Sequence, residues 1–234
     1  MARKAARKQP SARQSAGATP SVTGSDRDRI IAAFMALLGE KPIERIGLTD
    51  IADAAGVSLA ALRDEFASKL AILAAHVKSI DRKVLAGGDA DMAEESPRER
   101  LFDVLMRRLE AMAEHKSALR SLMRSAACNP CLALELNELA VRSQQWMLAA
   151  AGITAGGPKG LIRAQGLALM FARVLRIFVD DENDNARTMA ALDRALASGQ
   201  RWSGLLDDLC RFVPRPRRRR RRRDESDEAE ATAI

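Results

Sequence analysis

Tyrosine is absent from the 234 residues, and all aromatics together make up 3% of them. Alternating β-branched and polar runs are missing as well. Nothing in the chain reads as a strand, and the expected fold is all-α. Histidine occurs twice and cysteine three times. That is too little cysteine for a disulfide-built scaffold, and a reducing cytoplasm is the expected setting. There is no glycine-rich phosphate loop, no nucleophile elbow and no paired metal-ligand spacing. With no residues to take catalytic roles, the chain is expected not to be an enzyme and to need no cofactor. No apolar run approaches the ~20 residues that span a bilayer. The best stretch, Gly166 to Val174, is short and interrupted by Arg173, so no membrane partner is expected.

What is present is charge at the two ends. The net charge is +7, but it is unevenly placed. Residues 1–24 hold five bases and no acid, and residues 211–234 hold nine arginines and five acids. Between them, 24 bases face 26 acids, so the expected folded part is slightly acidic. The first 24 residues are rich in Ser, Ala, Gly and Pro and read as a disordered basic arm. They share the composition of a mitochondrial presequence, but lack bulky apolar residues between Met1 and Val22 and hence an amphipathic face. Residues 214–234 read as a second disordered tail, with Arg217 to Arg223 followed by an acidic stretch. Seven adjacent cations must stay solvated and suit non-specific phosphate binding.

Helical spacing starts at Ser25. Ser25 and Asp28 form a capping-box pattern, and Ile30, Ile31, Phe34, Leu37 and Leu38 make one stripe that ends at Gly39. Two brief helices are expected over 48–55 and 58–66, and a longer one over 69–85. Residues 86–97 (AGGDADMAEESP) are the clearest linker. Helices are then expected over 97–114, 117–127, 130–151, 161–179, 185–197 and 202–212, with 152–160 as a turn. This divides the chain into a unit at 25–85 and a helical unit at 98–213.

The segment from Leu48 to Lys69 is the most informative. Ile51, Ala52 and Ala55 give a small apolar face, and Gly56 permits a sharp turn. Val57, Ala61, Leu62 and Phe66 give the buried face of the next helix. Small residues at the crossing and a tight turn between two short helices are the signature of a helix-turn-helix.

At these residues the chain resembles the TetR family of bacterial transcriptional regulators. The pattern is Ile51-Ala52, Ala55-Gly56-Val57-Ser58, Leu62, Phe66 and Ser68-Lys69, with an amphipathic helix upstream. The resemblance implies a repressor that binds double-stranded DNA as a homodimer, in the bacterial cytoplasm at the nucleoid. It also implies an effector pocket among the later helices. The fourth and fifth helices after the linker would form the dimer bundle. The expected DNA-binding residues are Arg27, Arg29, Thr49, Ser58, Leu59, Ala60, Arg63 and Lys69. Arg63 suits a phosphate or a guanine edge, and Leu59 and Ala60 suit thymine methyls. Asp64 and Glu65 run against this, because carboxylates are repelled by phosphates. Residues 25–83 carry nine bases and nine acids, so the basic arm, with Arg27 and Arg29, is expected to supply backbone contacts. The rival reading is an adaptor on the same scaffold, binding lipid and a partner protein, like the ubiquinone-biosynthesis accessory protein. Residues 179–194 loosely resemble that lineage.

Met106, Met123, Trp146, Met147 and Met170 fall in the later helices and are the expected lining of an effector pocket. Methionine adapts to irregular apolar ligands, so the expected effector is an apolar small molecule. Cys128-Asn-Pro-Cys131 lacks a second ligand pair for structural zinc. It reads as two thiols at a helix start, with redox sensing as the functional alternative.

Overall fold

The computed structural model describes residues 24–88, 91–154, 156–181 and 185–211. The expected arm at 1–24, apart from Gly24, and the expected tail at 214–234 lie outside the described residues. Among the described residues there are helices and no strand. The helices are α1 (Asp26–Glu40), α2 (Leu48–Ala55), α3 (Leu59–Glu65), α4 (Lys69–Ala86), α5 (Pro97–Ala111), α6 (Lys116–Cys128), α7 (Pro130–Ala150), α8 (Gly157–Phe178) and α9 (Ala186–Arg211). Short 3-10 turns occupy Ile43–Arg45, Asp91–Glu94 and Ala113–His115.

Local chemistry sets most starting points. The side-chain oxygens of Ser25, Ser58, Ser68, Ser96 and Asn129 accept from backbone N–H groups of α1, α3, α4, α5 and α7 in turn. Each cap satisfies a donor that the first helical turn leaves open. Pro97 and Pro130 open α5 and α7, where a missing N–H costs nothing. Gly56 ends α2 with φ +65°, a left-handed conformation that favours glycine.

Two expectations need correction. The helices anticipated at 185–197 and 202–212 are one continuous helix, α9. Ser198-Gly199 does not break it, since a glycine costs a helix only about 1 kcal/mol. The turn expected over 152–160 is shorter, because α8 already begins at Gly157.

Packing creates two buried clusters. The first gathers Ile30, Phe34, Met35 and Leu38 of α1, Ile51, Ala52 and Ala55 of α2, Leu62 of α3, and Ile72 and Leu73 of α4. It also takes in Ala118 and Leu122 of α6 and Leu132 of α7. The second gathers Leu101, Leu105 and Leu109 of α5, Met147 and Leu148 of α7, Phe171 and Phe178 of α8, and Leu192 of α9. Ile80 and Val84, from the second half of α4, belong to this cluster. Helix α4 therefore lies in both cores, and α6 and α7 press on the helix-turn-helix unit directly. Gly39 of α1 sits so close to α6 that a Cβ there would lie 2.8 Å from the Ser117 hydroxyl.

Candidate nucleic-acid interface

Helix α3 is anchored from beneath. Leu62 and Phe66 are buried, and the backbone N–H of Val57 donates to the carbonyl of Ala52 across the turn (3.0 Å). The Ser58 hydroxyl accepts from the Ala61 N–H at 3.1 Å. This leaves Leu59, Ala60, Arg63 and Asp64 on the outer face, all exposed. Leu59 remains 49% exposed, although leucine normally gains about 1.5–3 kcal/mol by full burial. Thr49 is exposed in the first turn of α2. Arg63 holds its guanidinium loosely, with one bond from Nη1 to the Ala67 carbonyl (3.2 Å).

The other expected cations are engaged within the chain. Arg27 pairs with Glu65 at 3.2 Å and lies 4.5 Å above the centre of the Phe66 ring. Glu65, the carboxylate that counted against nucleic-acid contact, thus has its charge balanced by α1. Arg29 pairs with Asp26 at 2.7 Å. Lys69 donates to the carbonyls of Ile43 (2.8 Å) and Ile46 (2.9 Å). It ties α4 to the link before α2, and its ammonium is half-buried there. Asp50 at the start of α2 accepts from Lys41 (2.7 Å) and from the Gly47 N–H (3.1 Å). The bonds from Lys41 and then Gly47 hold its carboxyl below the usual range. The same segment exposes Arg45, a cation missed in the sequence. Its signal was the charged pair Glu44-Arg45 immediately before the helix-turn-helix. Glu44 accepts from Ser125 of α6 at 2.9 Å.

Of the five residues expected to line an effector pocket, four lie in or against the second cluster and Trp146 stands apart. Met147 is fully buried in the second cluster, while Met106, Met123 and Met170 are half-buried against it. Trp146 is 60% exposed. Two surface hollows, of about 410 and about 270 Å³, lie elsewhere. One is between α8 and α9 around Ile177 and Arg187, the other between the end of α1 and α6. Cys128 and Cys131 are exposed free thiols. Among the described residues no group of three His, Cys, Asp or Glu side chains is placed to hold a metal. The two histidines instead meet each other, His76 of α4 edge-on to His115 with ring centres 4.7 Å apart. Burial, then His115 and Lys83, push His76 down to about 4.

Residues 30–76 match the family model for bacterial regulatory proteins of the tetR family. The helix-turn-helix is of the TetR family. The match begins in the stripe of α1 and ends at His76 in α4, so it covers the whole first unit of packing except the contribution from α6 and α7. Solved structures similar in fold include a TetR transcriptional regulator from Nitrosomonas europaea ATCC 19718, at 23% identity and TM-score 0.56, covering 74% of this chain and 96% of that one. A putative TetR-family regulator from Rhodococcus sp. has 19% identity and TM-score 0.54, covering 75% and 98%. A TetR regulator from Rhodococcus sp. RHA1 has 24% identity and TM-score 0.50, covering 74% and 94%. The comparison with curated proteins gave no match. No described helix is long and apolar enough to cross a membrane.

Proposed function

We propose that the protein is a sequence-specific DNA-binding repressor, acting as a homodimer and released by a small-molecule effector held among its later helices. The observation that carries the reading is the outer face of α3. A short helix fixed by Leu62, Phe66 and the Ser58 cap presents Leu59, Ala60 and Arg63 to solvent in a TetR-family helix-turn-helix. Such a helix reads base edges in the major groove, where an arginine takes a guanine and small apolar groups meet thymine methyls. The pairing of Glu65 with Arg27 lowers the electrostatic cost of approaching phosphates. The basic residues before Ser25 would supply the salt-dependent backbone contacts.

Dimer formation has support in α8 and α9. Leu161, Ile162 and Leu169 of α8 and Met189 of α9 are large apolar side chains left exposed, and they are available to be covered by a second copy. By this reading, effector binding in the second cluster moves α4, which also belongs to the first. The two recognition helices of the dimer then no longer match one turn of DNA, about 34 Å. The protein would act in the bacterial cytoplasm at the nucleoid.

Selection from genomic DNA fragments tests this, with the full chain and residues 25–213 compared at about 150 mM salt. Both should enrich the same sequence, the shorter chain with lower affinity. Enrichment of no sequence, with tail-dependent binding of every fragment alike, refutes the regulator. Recovery of lipid with the purified protein would then favour the adaptor.

A further inference from the structure

The second cluster contains a buried polar group that the DNA-binding reading does not use. Asp81 of α4, Arg108 of α5 and Ser143 of α7 are all buried among apolar side chains. Asp81 Oδ1 accepts from Arg108 Nη1 and, at 2.7 Å, from the Ser143 hydroxyl. The sequence held a trace of this, because Arg108 falls between Val104 and Met112 on the apolar stripe of α5. Burying an ion pair costs several kcal/mol per ion in desolvation, and an apolar pair of the same size is often as stable. A fold that needed only stability would gain little from it.

Arg108 is also incompletely used. Its Nε is buried and has no hydrogen-bond partner among the described residues. The guanidinium has five donors in a planar fork, and its Nε edge is one that a carboxylate grips with two parallel bonds. Phe171 of α8 stands beside the same group, its ring centre 5.7 Å from the guanidinium carbon. Half-buried Met106, Met123 and Met170 pack against the same cluster, and methionine repacks readily around an inserted chain.

We propose that Arg108 anchors an effector made of an apolar body and a single carboxylate, which docks on the Nε edge of the guanidinium and displaces Asp81. This rests on the regulator reading and names the class of its effector. With a second carboxylate present, one cation faces two anions in a poorly solvated site, where like charges repel strongly. The ligand is held by its apolar body, so Asp81 is the group that yields. Asp81 carries α4 with it, and Ile72 and Leu73 on that helix belong to the helix-turn-helix core. Nine residues separate Asp81 from Ile72, about 14 Å along a rigid helix. A cationic head would be repelled by Arg108, and a neutral hydroxyl would offer it a weaker acceptor.

The test titrates the full chain with straight-chain carboxylates from hexanoate to decanoate and with the matched alcohols, read by calorimetry. The carboxylates should bind at least about tenfold more tightly than their alcohols, a difference of 1.4 kcal/mol. Asp81→Asn removes the competing charge and should tighten carboxylate binding by a similar factor, while leaving the alcohols unchanged. The paired variant Asp81→Leu with Arg108→Met keeps the core apolar and should bind carboxylate and alcohol alike. Equal binding of acid and alcohol by the parent, no tightening in Asp81→Asn, or no saturable binding anywhere in the series overturns the proposal. The two readings fail separately. Loss of DNA selection with this ligand pattern intact refutes the regulator, and DNA selection without the pattern refutes the anchor.

Discussion

Acidification should destabilise this protein through one residue. His76 is buried on α4 against His115, and its pKa stands at about 4 against 6.5 in an ordinary setting. The folded state therefore resists a proton that the unfolded chain accepts. Between those two values the unfolded state binds more protons, so stability falls as pH falls through the window. The neutral imidazole contributes fully above the ordinary value, and about 3 kcal/mol is at stake across the window. Moving from about pH 7.5 to about pH 5 should already cost about 2 kcal/mol. The carboxylates of Asp50, Glu99 and Asp181 are likewise held below their ordinary values of 3.8, 4.5 and 3.8 and also lose stability on acidification, but at lower pH. Their contribution is lost only as pH drops through those lower folded values, outside this interval. Urea unfolding followed by helical circular dichroism at the two pH values, at one protein concentration, measures the difference. His76→Leu should remove most of it. An equal loss in parent and variant would refute the assignment to His76.

Arg63→Ala should weaken the specific DNA complex by about 1–3 kcal/mol and leave binding to unrelated sequences nearly unchanged if it reads a base; competition binding distinguishes the two. Glu65→Gln should release Arg27 from its partner, strengthen DNA binding and steepen the slope of log affinity against log salt by about 0.9, as one more neutralised phosphate would. The ion pair itself is exposed, so folding stability should change by less than about 1 kcal/mol. Phe34→Ala, at a fully buried site, should cost about 3–5 kcal/mol. Because its cluster includes Leu122 of α6 and Leu132 of α7, melting by circular dichroism and by the fluorescence of Trp146 in a Trp202→Phe background should shift together; a shift in circular dichroism alone would show that the two clusters unfold separately.

The helix-turn-helix was legible because its determinants are local. Gly56, the serine caps and the spacing of Ile51, Ala55, Leu62 and Phe66 lie within a few turns of one another. The exposed face of α3 followed from the same spacing. The continuity of α9 is not legible locally, because Ser198-Gly199 is a weak helix-forming pair that the turns on either side carry through. The state of the charged groups was not legible. Arg27 and Glu65 are 38 residues apart, and Lys69 reaches a carbonyl 26 residues away. Only folding brings such partners together.

The sequence by itself determined an all-α chain, the capped helix starts and the outer face of α3, since each depends on periodicity or on hydrogen bonds within a few residues. The tertiary structure decided which charges remain available at that face, that α4 lies in two cores, and that Asp81, Arg108 and Ser143 converge. Those outcomes depend on how helices distant in the chain share buried space, and local propensity carries no record of that.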